Sequence, residues 1–235
     1  MPITKHATSV NRLIAALPHE DHQRFIDGCE RVELAFSDIL CKAGKPIQYV
    51  HFPINSVISL LAMTDDNSSV GVGMVGNEGM VGIPIMLGGD ISSLQFLVHG
   101  SGAAWRMDAL SFRRELQLSF ALKLALNRYH YVMTSQLAQI AACTRFHIVE
   151  ERLARWLLMT EDRVHSTKFH LTHELLANIL GVRRVSVTNV AGSLQRKKLI
   201  SYSRGDITIL DRNGLEAASC GCYQSDKETY SHLLG

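Results

Sequence analysis

The ten residues GVRRVSVTNV, at positions 181–190, decide how the C-terminal part of the chain folds. They include four valines and one threonine, β-branched residues that favour a strand when propensity alone is considered. Two adjacent arginines, Arg183 and Arg184, lie inside this run. If the stretch is helical instead, both arginines lie at the start of a helix and become candidates for a functional role.

The surrounding sequence matches a helix-turn-helix, which needs a small residue where its helices cross, a tight turn, and apolar residues at the buried positions. Counted from His173, Ala177 takes the crossing position, and Gly181 takes the turn, where a positive φ is required. Thr172 is a suitable N-cap for the first helix, and the second helix is predicted from about Arg184 to Lys197. The other positions expected to be buried are all apolar: Leu176, Leu180, Val182, Val187 and Val190.

A second helix of this kind enters the major groove of DNA, where arginine can bond guanine, and Ser, Thr and Asn can bond bases or phosphates. The following residues, KKLISYSRGDITILD at 197–211, predict a two-stranded wing that turns at Arg204-Gly205-Asp206 and carries cations suited to phosphates. The predicted DNA-binding residues are Thr172, His173, Arg183, Arg184, Val185, Ser186, Thr188, Asn189, Arg196 and Arg204.

The distribution of charge favours a polyanionic partner. Residues 163–204 contain eight lysines and arginines and one acidic residue, Glu174, so this segment has a net charge of +7. The formal net charge of the whole chain is +2, which leaves −5 for the remainder. A basic segment on an acidic chain is typical of DNA-binding proteins, because neutralised phosphates release counterions. A solvated positive face without a partner is the alternative that charge alone leaves open.

Residues 108–144 contain no Gly or Pro and are predicted to form one long helix. Seven of them recur at alternating spacings of four and three, the a/d pattern of a helix that pairs with another helix. The pattern favours a parallel homodimer, in which the polar Gln136 would fix the register or contact a ligand; packing on the chain's own β-domain is the alternative. The predicted dimer seam is Leu122, Leu126, Tyr129, Met133, Gln136, Ile140 and Cys143.

A further helix is predicted within FHIVEERLARWLLMTEDRV, residues 146–164, because apolar residues recur on one helical stripe. The residues on this stripe are Ile148, Leu153, Trp156, Leu157 and Met159.

Residues 31–107 are rich in short β-like runs separated by Gly, Pro, Asn and Asp. The runs RVELAF, IQYVHF, SVISLLAM, SSVGVGMV, LQFLVH and GAAWRM predict a small β-sandwich or jelly roll, preceded by a helical segment around residues 9–29. GVGMVG at 71–76 matches the dinucleotide-binding pattern G-x-G-x-x-G, but the residues that follow, NEGMVGIPI, cannot form the helix that this chemistry requires. Its glycines are therefore interpreted as bends and turns of the β-domain.

Composition and cysteine content narrow the class of protein. The 235 residues are 46% hydrophobic and 20% charged, which is ordinary for a globular chain. No apolar segment indicates a signal peptide or a membrane span, so a cytoplasmic protein without membrane contact is expected. The odd number and the scatter of the cysteines do not indicate a secreted disulfide framework, so they are expected to be reduced. They are Cys29, Cys41, Cys143, Cys220 and Cys222.

The order of these parts, with LTHELLANILGVRRVSVTNVAGSLQRKKLISYSRGDITILD at 171–211, resembles the Crp/Fnr family of bacterial transcription regulators. The resemblance implies an α+β fold: a β-roll (double-stranded β-helix or jelly roll) sensor domain at 1–107, a dimerisation helix at 108–144, a winged helix-turn-helix domain at 145–220 and a tail at 221–235. It also implies a homodimer that binds a palindromic operator and contacts RNA polymerase.

The resemblance also assigns residues on the second helix of the motif. The family's guanine-reading arginine corresponds to Arg184, and Val185 replaces the glutamate that usually follows it. Without this carboxylate, cytosine N4 loses an acceptor, and an apolar contact with a thymine methyl group becomes possible. Asn189 stands where the cyclic-AMP receptor of this family has a second base-contacting arginine. We therefore predict a half-site different from that receptor's TGTGA.

The sensor region departs further from the family. Members that bind cyclic nucleotides hold the ribose with a Gly-Glu pair and the cyclic phosphate with Arg-Ser or Arg-Ala. Here Ile83 follows Gly82, and the segment DISS offers Ser92 and Ser93 without an arginine. The phosphate would lack a cationic partner, so neither cyclic AMP nor cyclic GMP is predicted to bind. The ligand of this degenerate cassette is unknown.

No other cofactor and no metal is predicted. An iron–sulfur cluster needs four cysteines, and only Cys29 and Cys41 lie in the N-terminal half. Haem is unsupported, because Pro2 alone resembles the haem-ligating N-terminus of a carbon-monoxide-sensing member. The eleven histidines lack metal-ligand neighbours, and Cys220 and Cys222 are interpreted as bystanders, with a thiol switch as the alternative.

Two functions from different classes remain. The first is a dimeric DNA-binding transcription regulator, in which an unidentified signal at the β-roll or the dimer helix changes the position of the recognition helices. The second is a β-roll ligand-binding or scaffolding protein whose winged helix mediates protein contacts. No nucleophile with a base and no paired-carboxylate motif is evident, so the chain is not predicted to be an enzyme.

Overall fold

The computed structural model describes residues 10–66 and 68–234. Residues 1–9 of the predicted sensor domain, Pro2 among them, and residue 235 of the predicted tail lie outside the described residues. The chain divides into two compact units. The N-terminal unit comprises the residues up to Leu60 and Val75–Tyr131, and the C-terminal unit comprises Leu61–Met74 and Val132–Leu233. The domain boundaries given above stay a prediction.

The chain up to Asp108 forms two short helices and then a β-roll. The elements are α1 (Arg12–Ala15), α2 (His19–Asp27), β1 (Glu30–Leu34), β2 (Ile39–Cys41), β3 (Lys45–Pro46), β4 (Tyr49–Pro53), β5 (Val57–Met63), β6 (Ser69–Val75), α3 (Ile83–Met86), β7 (Ile91–Ser92), β8 (Gln95–Gly100) and β9 (Gly102–Asp108). The sheets have the strand orders β1-β9-β4, β2-β8-β5-β6 and β3-β7. All six predicted runs are strands, which confirms the β-rich class. Strands β2, β3 and β7 were not predicted, because each is only two or three residues long.

Aromatic packing joins the elements of the N-terminal unit. The ring of Phe52 on β4 meets the ring of Phe25 on α2 edge-on, at 5.1 Å between centroids, and the ring of Phe112 at 6.0 Å. All three side chains are fully buried. Edge-to-face pairs of this kind stabilise a core beyond the area that they bury.

The segment GVGMVG is a strand rather than a dinucleotide-binding loop. Gly71 and Gly73 lie inside β6, and the helix that a pyrophosphate site requires is absent after it, because the chain turns at residues 76–78. The pattern G-x-G-x-x-G therefore lies in a strand and the turn that follows it, within the β-domain as interpreted. The interpretation of these glycines as bends was wrong for the two that lie within the strand.

Residues 108–144 do not form one continuous helix, so this prediction was wrong. Helix α4 (Ala109–Leu118) ends at Ser119, whose backbone is extended, and helix α5 (Phe120–Phe146) follows directly. The Ser119 hydroxyl donates to Asp21 Oδ2 (2.6 Å) and accepts from the Leu122 N–H (3.0 Å). A hydrogen bond to a distant part of the chain thus accompanies the break, without any Gly or Pro.

The predicted dimer seam on α5 is buried within its own chain. Each of its seven residues is at most 7% exposed. Tyr129 is packed tightly against the chain around residue 80. Its hydroxyl donates to the Met80 carbonyl (3.1 Å), and a Cβ added to Gly79 would lie only 2.3 Å from the hydroxyl oxygen. The seam is therefore covered by the rest of its own chain: Tyr129 packs on the β-domain, as the alternative expects, whereas Cys143 lies against Cys220. The large apolar side chains that α5 exposes are Phe120, Leu124, Tyr131, Leu137 and Phe146.

The rest of the C-terminal unit is a winged helix-turn-helix followed by a C-terminal helix in the predicted tail. The elements are α6 (Val149–Val164), β10 (Lys168–His170), α7 (His173–Leu180), α8 (Arg184–Arg196), β11 (Ile200–Ser203), β12 (Asp206–Ile209), α9 (Arg212–Ala218) and α10 (Cys222–Leu234). The apolar stripe of α6 is confirmed except at Ile148, which precedes the helix and is exposed. Strand β10, which was not predicted, extends the wing into a sheet of order β10-β12-β11.

Among the described residues, no helix has both the length and the apolar character needed to cross a bilayer.

Candidate nucleic-acid interface

The turn between α7 and α8 has the geometry of a helix-turn-helix. Thr172 caps α7, because its hydroxyl accepts from the Leu175 N–H (3.1 Å), and Gly181 ends the helix in the left-handed conformation, at φ 62°. Ala177 is buried at the position predicted for the helix crossing. Helix α8 starts at Arg184 as predicted and ends one residue early. The GVRRVSVTNV stretch therefore adopts a turn and a helix despite its strand propensity.

One side of α8 packs inward, and the opposite side is exposed. Val187, Ala191 and Leu194 are buried, whereas Val182 and Val190, which we expected to be buried, are only half-buried. Four exposed residues at spacings of one, three and one lie on a single helical face. This exposed face consists of Arg184, Val185, Thr188 and Asn189.

The remaining predicted contact residues differ in how far they are exposed to solvent. Arg183, Arg196 and Arg204 are exposed, and Ser186 is half-buried. Thr172 is also half-buried, and its hydroxyl is engaged in the helix cap. The structure brings most of the predicted residues to α8 and the wing, and their contacts with DNA stay a prediction.

His173 connects the two helices to the wing. Its imidazole stacks on the Tyr202 ring of β11, with centroids 4.3 Å apart and planes 6° apart, and its Nδ1 lies 3.1 Å from Thr188 Oγ1. Burial, and next the nearby charge of Arg184, lower the pKa of His173, so the ring is held neutral at physiological pH. The sequence analysis missed Tyr202, whose hydroxyl also donates to the Leu171 carbonyl (3.1 Å).

The wing turns at the predicted residues. Arg204 and Gly205 both have positive φ, 51° and 93°, as two-residue hairpin turns of the favoured kind require. At the base of the turn, His170 Nδ1 lies 2.8 Å from Asp206 Oδ1. The turn presents the exposed Arg204 at the tip of the wing.

Two cations of the basic segment are already engaged within the protein. Arg163 is buried on α6 and donates to the Met159 carbonyl (3.0 Å), so it adds little to the surface charge. Lys197 Nζ lies 2.5 Å from Glu150 Oε1. The charge counted from the sequence therefore overstates the positive charge that the surface presents.

The degenerate nucleotide cassette offers no cationic side chain among its four residues. Gly82 has φ 106° and packs against Val50, whose Cγ1 would lie 2.8 Å from an added Cβ. Ser92 is buried, and its hydroxyl donates to the Leu94 carbonyl (2.7 Å). Ile83 is half-buried, and Ser93 is exposed. A ligand at this place stays unidentified.

A cluster of cysteine and histidine side chains was not anticipated. Cys143 Sγ lies 3.5 Å from Cys220 Sγ, and Cys222 Sγ lies 3.5 Å from His147 Nδ1. The four potential ligand atoms all lie within 4.8 Å of one another. The structure thus brings Cys220 and Cys222, interpreted as bystanders, together with Cys143 of the predicted seam, and the expectation that the histidines lack metal-ligand neighbours was wrong for His147. We call these four residues the Cys–His cluster.

The Cys–His cluster has a polar environment. Arg155 and Asp226 form an ion pair beside it, with both side chains almost fully buried. The hydrogen bond with Cys220 lowers the pKa of Cys143 against the effect of burial, and His147 and Arg155 lower it further. The same sharing of a proton raises the pKa of Cys220. All five cysteines are described, and all are free thiols.

Comparison with known proteins identifies the C-terminal domain and the fold. Residues 151–218 match the model of the Crp-like helix-turn-helix domain. No curated protein matches the chain. The structure of CLP, a c-di-GMP-responsive global regulator of Xanthomonas campestris, has a TM-score of 0.67 at 16% identity, covering 82% of this chain and 99% of that chain.

Two further solved structures are similar to this chain over most of its length. A protein of Eubacterium rectale assigned to the Crp/Fnr family of transcriptional regulators has a TM-score of 0.68 at 18% identity, with 88% of this chain and 96% of that chain covered. FixK2 of Bradyrhizobium japonicum has a TM-score of 0.66 at 11% identity, and the match covers 82% of this chain and 98% of FixK2. At these identities the likeness establishes a shared fold.

Proposed function

We propose that this chain, which has the fold of the Crp/Fnr regulators and a Crp-like helix-turn-helix domain at residues 151–218, is a sequence-specific DNA-binding transcription regulator. The observation that carries the proposal is the exposed face of α8, where Arg184, Val185, Thr188 and Asn189 stand opposite a buried apolar side. A helix that presents such residues to solvent at its N-terminal end fits a major groove.

The residue types on α8 and the wing suggest separate roles. Arg184 bonds guanine O6 and N7, and Asn189 bonds a base edge nearby. Arg183, Arg196 and Arg204 contact backbone phosphates, which set the register of the protein on the duplex. His173 and Thr172 support this arrangement through the contacts with Thr188 and the α7 cap.

The proposed regulator is a homodimer, and its interface is the exposed face of α5. The buried seam cannot serve this purpose, but Phe120, Leu124 and Tyr131 lie on the outer face at spacings of four and seven. Ala138 lies seven residues after Tyr131, and Ala141 three residues further on, so both continue the heptad spacing of this face, and both are exposed. Small residues there would let two parallel helices approach closely, and a two-fold dimer matches a palindromic operator.

The other parts of the proposal follow from the family resemblance. The β-roll and α5 receive a signal that is not a cyclic nucleotide, and the DNA-bound dimer contacts RNA polymerase. The protein acts in the cytoplasm without membrane contact, and it regulates rather than catalyses.

The test is a comparison of three arginine substitutions on a DNA fragment obtained by selection from random sequence. Arg184→Ala should weaken specific binding by about 1–3 kcal/mol and relax the preference at one base pair. Arg196→Ala should weaken binding to all sequences alike and reduce the slope of log K against log salt by about 1. Arg31→Ala, an exposed arginine of the N-terminal unit, is the control and should change neither.

Fluorescence anisotropy over a range of salt concentrations measures all three variants. The absence of binding to any selected DNA, with reduced or oxidised protein, would contradict the proposal and favour a scaffolding protein. Equal loss of specific and non-specific binding in Arg184→Ala would contradict the role of Arg184.

A further inference from the structure

The Cys–His cluster draws its members from two distant places in the C-terminal unit. Cys143 lies in the last turns of α5 and His147 just beyond its end, while Cys220 lies between α9 and α10 and Cys222 is the first residue of α10. Cys143 and Cys220 are 77 residues apart in sequence. The three cysteines are buried, and the histidine is half-buried. Nothing in the proposed contact with DNA uses these four side chains.

Two of the distances within the cluster are close to those around one tetrahedral ion. Zinc binds sulfur at about 2.3 Å and imidazole nitrogen at about 2.0–2.1 Å, so in a tetrahedron two sulfurs lie about 3.8 Å apart and a sulfur and a nitrogen about 3.6 Å apart. The Cys143–Cys220 and Cys222–His147 distances are both 3.5 Å. The other separations among the four ligand atoms are all within 4.8 Å, and a bound ion would require the longest of them to shorten.

We propose that Cys143, His147, Cys220 and Cys222 bind one Zn²⁺ ion in a closed tetrahedral site. Three thiolates and one imidazole are a ligand set that zinc prefers, and four protein ligands leave no open position for catalysis. A polynuclear iron–sulfur cluster is a poorer fit, because its thiolates bind different iron atoms and lie farther apart.

The surroundings of the cluster favour a bound metal with three thiolates. Such a site has a net charge of −1, and the guanidinium of Arg155 lies close enough to interact with Cys143. Gln139 on α5 donates through Nε2 to Cys222 Sγ at 2.8 Å. Donors of this kind orient ligands, and their removal typically weakens metal binding about 10–100-fold.

The role of this site is structural. It joins the end of α5 to the start of α10, and the Arg155–Asp226 ion pair joins α6 to α10 beside it. Arg212, the first residue of α9, also joins that helix to α6, because it pairs with Glu161 (2.6 Å) and Asp162 (2.7 Å). The metal would hold the C-terminal helix against the rest of the unit, whether or not DNA is bound.

The first experiment uses the full-length wild-type protein, reduced and stripped of metal, and titrates it with Co²⁺ and then Zn²⁺. We expect one Co²⁺ per chain, with the visible bands of a tetrahedral ion and the charge-transfer absorption of thiolate ligands, and displacement by one Zn²⁺. Less than one-fifth of an ion per chain, octahedral Co²⁺, or a Cys143–Cys220 disulfide in protein kept under reductant would overturn the proposal.

The second experiment compares matched cysteine variants by metal analysis and competition with a chelator. Cys222→Ser and His147→Gln should each lower the affinity for Zn²⁺ at least 10-fold, and Gln139→Leu should lower it less than they do. Cys29→Ser, a cysteine of the N-terminal unit, is the control and should keep wild-type affinity. Circular dichroism identifies any variant that is unfolded, in which case the wild-type titration decides. Unchanged affinity in a folded Cys222→Ser variant would overturn the assignment.

Discussion

At the scale of single residues, the two valines of α8 on either side of Ser186 have opposite surroundings. Val187 is fully buried, while Val185 is 60% exposed beside Arg184. An exposed valine next to a base-reading arginine has the right chemistry for the methyl group of thymine, which is an apolar feature of the major groove. Under the proposed function, Val185 therefore helps to choose the operator.

Val185→Glu should change the preferred operator at one base pair. The new carboxylate can accept from cytosine N4 and repels the negative edge of other bases, so binding to the wild-type operator should fall by about 1–3 kcal/mol. Selection from random DNA should return a cytosine at the affected position. Leu210→Glu, which alters a similarly exposed side chain just beyond β12, is the control and should select the wild-type operator. An unchanged operator in Val185→Glu would contradict the role of Val185.

Single residues also show where sequence-based prediction ends. The turn glycine, the N-cap and the exposed arginines follow from local spacing, so they could be predicted. The Cys–His cluster could not be assembled from spacing alone, because its halves meet only in the folded chain. Two local signals pointed to it: Cys143 and His147 are four residues apart, as on one helical face, and Cys220 and Cys222 flank a glycine.

At the scale of elements, α5 carries an apolar stripe on two faces. One stripe is buried in the chain, and the other exposes Leu124 and Tyr131, the latter at 62%. The buried stripe has the alternating spacing of four and three, whereas Phe120, Leu124 and Tyr131 of the exposed stripe are four and seven residues apart. Periodicity detects an apolar stripe, but it cannot tell whether the partner is the same chain or a second copy, so the burial of the predicted seam within its own chain could not be foreseen from the sequence.

Substitutions on the two faces of α5 should have different effects. Tyr131→Glu places a charge in the proposed dimer interface and should raise the dimer dissociation constant at least tenfold, with helix content unchanged, because the monomer keeps its core. Met133→Glu buries a carboxylate without a partner and should unfold the protein instead. Sedimentation velocity and circular dichroism separate these outcomes.

The control for the exposed face is Leu87→Glu, at an exposed leucine just beyond α3. It should remain dimeric. If Tyr131→Glu also remained a dimer at wild-type affinity, the proposed interface would be wrong.

The break between α4 and α5 shows a second limit at this scale. The segment has no Gly or Pro, and Ser119 and Phe120 lower the helix propensity only slightly, so the local sequence predicts a continuous helix. The hydrogen bond between Ser119 and Asp21 depends on α2, which is far away in sequence. The short strands β2, β3 and β7 were missed for a similar reason, since their pairing partners lie elsewhere in the β-roll.

At the scale of the whole molecule, removal of the metal should lower thermal stability under the zinc proposal. A ligand that binds only the folded state stabilises it by about 4 kcal/mol when its free concentration is 1,000 times its dissociation constant. A chelator should therefore lower the melting temperature of the wild-type protein, and added Zn²⁺ should restore it.

Differential scanning calorimetry on two variants completes this comparison. Cys222→Ser should melt at the lower temperature and show no response to the chelator, while Cys29→Ser should respond as the wild type does. Equal responses of Cys222→Ser and the wild type would contradict the proposed site.

The Cys–His cluster also has a consequence for the order in which the protein is made. Cys143 and His147 leave the ribosome before the helix-turn-helix and the wing have been synthesised, and Cys220 and Cys222 follow only after both. The four side chains can therefore meet only when translation has passed α9. A chain that stops within the wing retains half of the cluster, so the assembled cluster marks a chain in which the helix-turn-helix and the wing have both been synthesised.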